Sequence, residues 1–355
     1  MGISADNKKG SALILVLWII GMLSMITLSF VFDAHLEGKI VSFSRKQLKC
    51  EVLANSGIEL AKSYLHRSRL VTGNESDDDK LNDPQYKEAD ELRQGRTVTI
   101  TREMTTSDGE YAGTITVSIK PEESLRNLNK LTEEDWERIL ELEGIPEDYW
   151  PELIDSYFDW TDKDDEPREN GAETEDYYST LTPSYSAANA PFQTVEELAR
   201  VKGFTSAILS GGILNPSDPP ESQIVISNGI SRLFTTYGSG KVNINALGNN
   251  ELGQRILQTL PGVDDIGAGA IIEERENSSY TESDEEDRSF SNVDNARTRL
   301  NDYVEDKEFF NNISTSSQIF NITSVGQYDK VTKKVSAIVY VKGDIWRILE
   351  WREEQ

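Results

Sequence analysis

The side chains best able to do chemistry in this chain are carboxylates. Asp159-Trp-Thr-Asp162-Lys-Asp164-Asp165-Glu166-Pro167-Arg168-Glu169-Asn170-Gly-Ala-Glu173 is its densest run of oxygen donors, and hard oxygen ligands are what Ca²⁺ takes. With Asp162 as position one, Asp164, Glu166 and Glu173 fall at three, five and twelve, the spacing of EF-hand ligands. Position six is Pro167, where that loop requires Gly, so the segment is not an EF-hand. Carboxylates packed this closely repel one another in a compact geometry unless a cation sits among them. A calcium site of another shape and a solvated acidic loop therefore both fit the run. Two carboxylates also serve general acid–base catalysis. Nothing nearby suggests a nucleophile or a substrate groove, so the chain reads as no enzyme. His35 and His66 are the only histidines and Cys50 the only cysteine, which leaves almost nothing for imidazole catalysis or a zinc site and excludes an intrachain disulfide.

A second segment, Leu260-Pro-Gly-Val-Asp-Asp-Ile-Gly-Ala-Gly-Ala-Ile-Ile272, has the pattern of a helix-hairpin-helix. DNA-binding versions offer the backbone amides of a Gly-rich hairpin to phosphate. Here Asp264 and Asp265 occupy the hairpin and Glu273, Glu274 and Glu276 follow, with only Arg255 and Arg275 nearby. Over the whole chain, 36 Lys and Arg against 62 Asp and Glu give 36 − 62 = −26. Such a charge repels nucleic acid. The segment reads as a helical packing unit, and no nucleic acid is expected as a partner.

These loops need a scaffold, and its first part is apolar. Ser11 to Phe32 carries no charge and follows Lys8-Lys9-Gly10. As a helix, 22 residues span about 33 Å, enough for a bilayer core of about 30 Å. The basic side precedes the run, so the amino end is expected in the cytoplasm and the rest across the membrane. The run is longer than the apolar region of a cleavable signal, and no small-x-small site follows. A helical pattern continues through Leu36, Ile40, Phe43, Leu48, Val52, Leu60 and Leu65, which predicts one helix over 11–70.

Residues 71–95 are polar and acidic and read as a solvated linker. Arg96–Met104 and Tyr111–Ile119 alternate with period two around Ser107-Asp108-Gly109, a hairpin signal. Ile319–Val325, Lys334–Val341 and Ile345–Trp351 repeat the alternation at the carboxyl end. A lone hairpin is marginal in water, so the early and late strands are expected in one antiparallel sheet packed on the long helix. The segments are then a polar start (1–10), which the resemblance named below makes a leader, a long helix (11–70), which it makes a spine, a linker with the first strands (71–120), an inserted helical region (121–317) and the last strands (318–355). Within the insertion, Thr132-Glu-Glu-Asp135 opens a helix as a capping box. Tyr149, Leu153, Ile154, Tyr157 and Phe158 mark a second. Thr194–Gly203 and Asn249–Gly262 both read helix then Gly turn, which predicts two small units of one type at about 121–209 and 240–300.

Taken in order, these pieces resemble one family. They are the Lys-Lys-Gly leader, Asp159–Arg168, Gly171-Ala-Glu173, Tyr177-Tyr178, Ala188-Asn189-Ala-Pro191, Val195–Leu198, Val201-Lys-Gly203, Gly238–Ala246 and the closing Ile348–Glu353. The sequence resembles the GspK-type minor pseudopilins of the type II (general) secretion pathway. The resemblance implies an α+β pilin-like fold, with a long transmembrane helix packed on an antiparallel sheet and a SAM-like or helix-hairpin-helix-like domain inserted between strands. It implies cleavage by prepilin peptidase between Gly10 and Ser11. It also implies a single-pass anchor in the bacterial inner membrane with a periplasmic soluble domain, and a place at the pseudopilus tip with the I- and J-type minor pseudopilins. The fifth mature position, normally Glu, is Leu15 here. A subunit with nothing above it needs no carboxylate there. Family members bind calcium in the helical domain, which on the matching positions implies Asp159, Asp162, Asp164, Asp165 and Glu173 as ligands. The family's disulfide cannot form with one cysteine. A competence-type membrane DNA receptor and a type IV pilus minor pilin are the alternative assignments.

Overall fold

The computed structural model describes residues 7–70, 83–276, 289–304 and 306–354. Helix α1 (Asn7–Ser68) runs unbroken for 62 residues through Gly10 and Ser11, whose side chains lie outside the described residues. Its two halves have opposite surroundings. The large apolar side chains from Leu13 to Phe32 are all exposed. Further along, Cys50, Leu53, Ala54, Ile58, Ala61, Tyr64 and Leu65 are buried. Their mostly three- and four-residue spacing puts them on one helical face.

That face lies on a five-stranded antiparallel sheet of β1 (Val98–Thr105), β2 (Tyr111–Pro121), β3 (Ile319–Tyr328), β4 (Val331–Lys342) and β5 (Ile345–Glu354), in the order β1-β2-β3-β4-β5. Alternation decides which side of each strand is inside. Ile115, Val117 and Ile119 on β2 and Val335, Ala337, Val339 and Val341 on β4 are buried together with the α1 face. The pairing of β2 with β3, in register at Ile119 and Ile322, joins the early hairpin to the late strands. The pilin-like α+β fold expected from the sequence is therefore the fold observed. The contact between helix and sheet is tight because Gly57 has no side chain. A Cβ there would stand 2.0 Å from Ser324 Oγ and 2.8 Å from Val117 Cγ2.

The reading of 71–95 as linker throughout needs correction. Residues 71–82 lie outside the described residues, but Pro84–Arg93 is a helix, α2. Asp83 caps it by accepting from Gln85 N, Pro84 opens it, and it buries only Ala89 and Leu92. A helix with two buried residues per ten leaves almost no apolar periodicity to read, and its stability comes from packing beside α1 rather than from its own face.

Between β2 and β3 stands a second core. Trp136 is fully buried at its centre, with the rings of Tyr157, Phe204 and Phe234 at 4.9, 5.5 and 5.4 Å. The helices around it are α3 (Glu133–Leu142), α4 (Trp150–Thr161), α5 (Glu251–Gln258), α6 (Asp265–Glu276) and α7 (Val293–Leu300), with a single turn at Ser206–Ser210. The capping box at Thr132 and Asp135 forms in both directions. The region is less helical than its pattern predicts. Thr194–Gly203 contains a 3₁₀ turn, Val195–Arg200, closed by Gly203 at φ +85°. Six residues between a cap and a turn are too few for the α ladder to gain much, and the tighter helix suits such short pieces. The α5–hairpin–α6 unit does have the expected helix, Gly turn, helix order.

Candidate functional site

The acidic run begins on the last turn of α4. That helix is fixed by burial of Leu153, Ile154, Tyr157 and Trp160, so the residues between them are carried inward with it. Asp159 is one of these and is fully buried. It is not a free ligand. Its Oδ2 accepts from Ala172 N at 2.8 Å and Arg168 N at 3.1 Å, which folds the loop 163–172 back over the helix end. Arg168 secures the loop from outside through Glu133 Oε1 at 2.6 Å and by stacking on Phe158. Lys202 holds its far end through the carbonyls of Asn170 and Gly171.

This folding brings Glu173 beneath the loop, where it is 1% exposed. Neither oxygen of its carboxylate has a hydrogen-bond partner. Burial, followed by the charges of Asp159, Asp162 and Asp165, pushes its pKa from 4.5 to about 7. Asp162 ends α4 in extended conformation, and its Oδ1 is also buried without a partner. Burial, and then Asp164 and Asp159, raise the Asp162 pKa. A fourth unpartnered oxygen belongs to a residue outside the sequence-derived set. Asn189, at φ +46°, donates through Nδ2 to Asp164 O at 3.0 Å and to Asp165 Oδ1 at 2.9 Å, while its Oδ1 is buried and unpaired. Asn is one of the few residues that tolerates this backbone region, and that is the signal by which the sequence could have marked it.

The five expected ligands thus divide. Asp162 and Glu173 offer free buried oxygens, and Asp159 and Asp165 act on Glu173 through their charge. Asp164 is exposed and uses its carboxylate to accept from Glu166 N. Among the described residues no group of three or more His, Cys, Asp or Glu already has ligating geometry. What fits a cation is the chemistry of the orphaned atoms. Four buried acceptors with no donor each cost desolvation without return, and an all-oxygen set with two carboxylates suits Ca²⁺ rather than a thiolate- or imidazole-seeking metal.

The other sequence-derived positions lie on α1, away from this loop. Leu15 is 60% exposed on the bare half of the helix. The helix contains an 18-residue window of mean hydropathy 2.5 with none of it buried, long and apolar enough to cross a membrane.

Residues 120–211, which include the whole acidic loop, match the family described as type II secretion system (T2SS), protein K. No curated protein matches the chain by sequence. Among solved structures, the chain is similar in fold to a chain of the GspK-GspI-GspJ complex from the type 2 secretion system of enterotoxigenic Escherichia coli. The TM-score is 0.59 at 15% identity, covering 89% of this chain and 99% of that one. The family match inside the insertion and the common fold over nearly the whole length bear out the resemblance of this chain to the GspK-type minor pseudopilins of type II secretion.

Proposed function

We propose that this chain is the tip subunit of a type II secretion pseudopilus, where it initiates and caps the filament and has no catalytic role. The observation that carries the reading is the division of α1. One helix is bare over Leu13–Phe32 and lays one face on the sheet from Cys50 onward. Held in the inner membrane with its amino end in the cytoplasm, the bare half is solvated by lipid. After cleavage between Gly10 and Ser11 by prepilin peptidase and extraction from the bilayer, that surface is tolerable only when other helices cover it. Association with I- and J-type minor pseudopilins would supply this cover and nucleate the filament. The insertion between β2 and β3 is bulky enough to obstruct a further subunit above.

In this reading calcium is held by Asp162 and Glu173, with Asn189 as a third oxygen ligand and Asp159, Asp164 and Asp165 shaping and charging the site. When bound, the ion supplies the positive charge that these carboxylates lack. The protein's own part is to hold the end of α4 against the 171–189 segment in the domain that stands at the tip.

The test is a pull-down of the full chain from inner membrane, for wild type and for Gly10→Val. The expected result is recovery of short-leader, Glu-bearing pilin-like chains with the processed wild type and their loss with the uncleaved variant. Recovery of no such chain with the wild type would sink the assignment. A type IV pilus minor pilin is the second reading, and recovery of pilus rather than secretion subunits would favour it.

A further inference from the structure

The helix-hairpin-helix segment has no part in the function proposed above, yet it lines a groove of about 1250 Å³ between α3, α5, the 260–265 hairpin and the residues Asp302, Tyr303 and Asp306. We propose that this groove is a docking site for a basic, extended segment of another polypeptide. The inference goes beyond the tip reading and does not depend on it.

The charge of the lining points to this occupant. Six carboxylates, from Glu141, Glu251, Asp264, Asp265, Asp302 and Asp306, line the groove against two guanidinium groups. Both of those are turned to main-chain carbonyls, Arg138 to Thr259 O and Arg255 to Leu142 O. The net lining charge is therefore −4, and Leu142, Leu260 and Val263 also line the groove. Two exposed side chains accompany it. Tyr303 lines the groove and is 46% exposed, and Ile266, next in sequence to the lining residue Asp265 on the first turn of α6, is 81% exposed. An apolar side chain left this open beside a concave, polar-rimmed surface is a feature of recognition sites. The groove is also prebuilt. Gly262, at φ +70°, packs so closely on Asp306 that a Cβ would lie 2.4 Å from Asp306 Cβ, and Asp264 Oδ1 accepts from Gly267 N at 2.7 Å to fix the start of α6. DNA-binding hairpins of this shape present amides to phosphate. Asp264 and Asp265 invert the sign, so Lys and Arg side chains become the matching ligand groups.

The experiment uses the full chain in nanodiscs of zwitterionic lipid, with a fluorescein-labelled Arg-rich decapeptide carrying a central Leu pair, read by anisotropy. Binding is expected to weaken more than tenfold in D265N/D302N/D306N, and less than twofold in E147Q/D148N/E175Q, which removes the same charge at exposed sites off the groove. Asn can keep the contacts that Asp265 and Asp306 accept from Gln258 and the Glu308 amide, so the groove variant should fold; unchanged melting checks this. Ile266→Ser, at an exposed position, is expected to weaken binding several-fold. Equal loss in the two charge variants would show general attraction to an acidic protein and overturn the proposal. So would no binding at millimolar peptide, or full binding by the folded groove variant and Ile266→Ser alike.

Discussion

Glu123, at the point where the chain leaves β2, accepts the backbone amide of Gln318, at the point where it returns to β3, with Oε2 at 2.7 Å. The same oxygen lies 3.4 Å from Ile319 N. One carboxylate thus closes the neck of an insertion of nearly two hundred residues. Around it, Glu122 accepts from Thr235 Oγ1 at 2.7 Å and Tyr237 Oη donates to Glu350 Oε2 at 2.9 Å. The Tyr237–Glu350 bond ties the insertion to β5, and the Glu122–Thr235 bond joins the start of the insertion to its middle.

Hydrogen bonds to a charged group contribute about 1.5–3 kcal/mol. Glu123→Ala is expected to destabilise the chain by about that amount and to speed amide exchange at Gln318 and Ile319, leaving exchange around Trp136 unchanged. Uniform acceleration across the insertion would show that the neck and the core open together.

At the helix–sheet contact, Gly57→Ala should gain about 1 kcal/mol of helix propensity and lose more than that to overpacking, about 1–3 kcal/mol, because the added methyl would meet Ser324 Oγ at 2.0 Å. Ser324 Oγ is itself buried without a partner, so Ser324→Ala is expected to be neutral or slightly stabilising. The double variant should recover part of the loss. Chemical denaturation of the four proteins tests this, and strict additivity would rule out the contact as the cause.

Glu173 makes the metal-free protein sensitive to pH in a direction opposite to that of a salt-bridged carboxylate. Its folded pKa of about 7 lies above the ordinary 4.5, so between these values the folded state binds more protons than the unfolded one. Stability in chelator should therefore fall as pH rises from 4.5 to 7, by an amount on the order of 3 kcal/mol. Calcium needs the deprotonated carboxylate, so its stabilising effect should grow over the same window. Glu173→Gln should abolish both trends. Melting curves at pH 5 and 8, with calcium and with chelator, provide the check. A calcium effect retained in the variant would remove Glu173 from the site.

Leu15→Glu places a carboxylate on the bare half of α1. In lipid this costs about 2.5–3.5 kcal/mol, and a top subunit has no amino group above it to pair with. The variant is expected to lower recovery of the tip complex from membranes without changing the melting of the soluble domain. Undiminished recovery would mean that something pairs with this position and that the chain is not uppermost.

The fold was legible where burial follows a period. The three- and four-residue spacing of α1 and the alternation of β2 to β4 appear in the residues because each element puts one face into a common core. Helix α2 was not legible because only Ala89 and Leu92 are buried in it. The short 3₁₀ turn at Val195–Arg200 shares its capping box with an α-helix, so composition could not separate the two. In the loop, the carboxylates were visible as a cluster, but their roles were not. Asp159 and Glu173 are both acidic and both buried, yet one is clamped by two amides and the other has no partner.

By itself the sequence determined the apolar spine, the strand faces, the capping box at Thr132 and the crowding of acid at 159–173. These depend on residue type and on spacing along a single element. Only the tertiary structure decided which acid is satisfied, that Asn189 joins them from outside the run, that Glu123 closes the neck, and that the acidic hairpin faces a groove. Those outcomes depend on which distant backbone atoms arrive beside a side chain, and local spacing carries no information about that arrival.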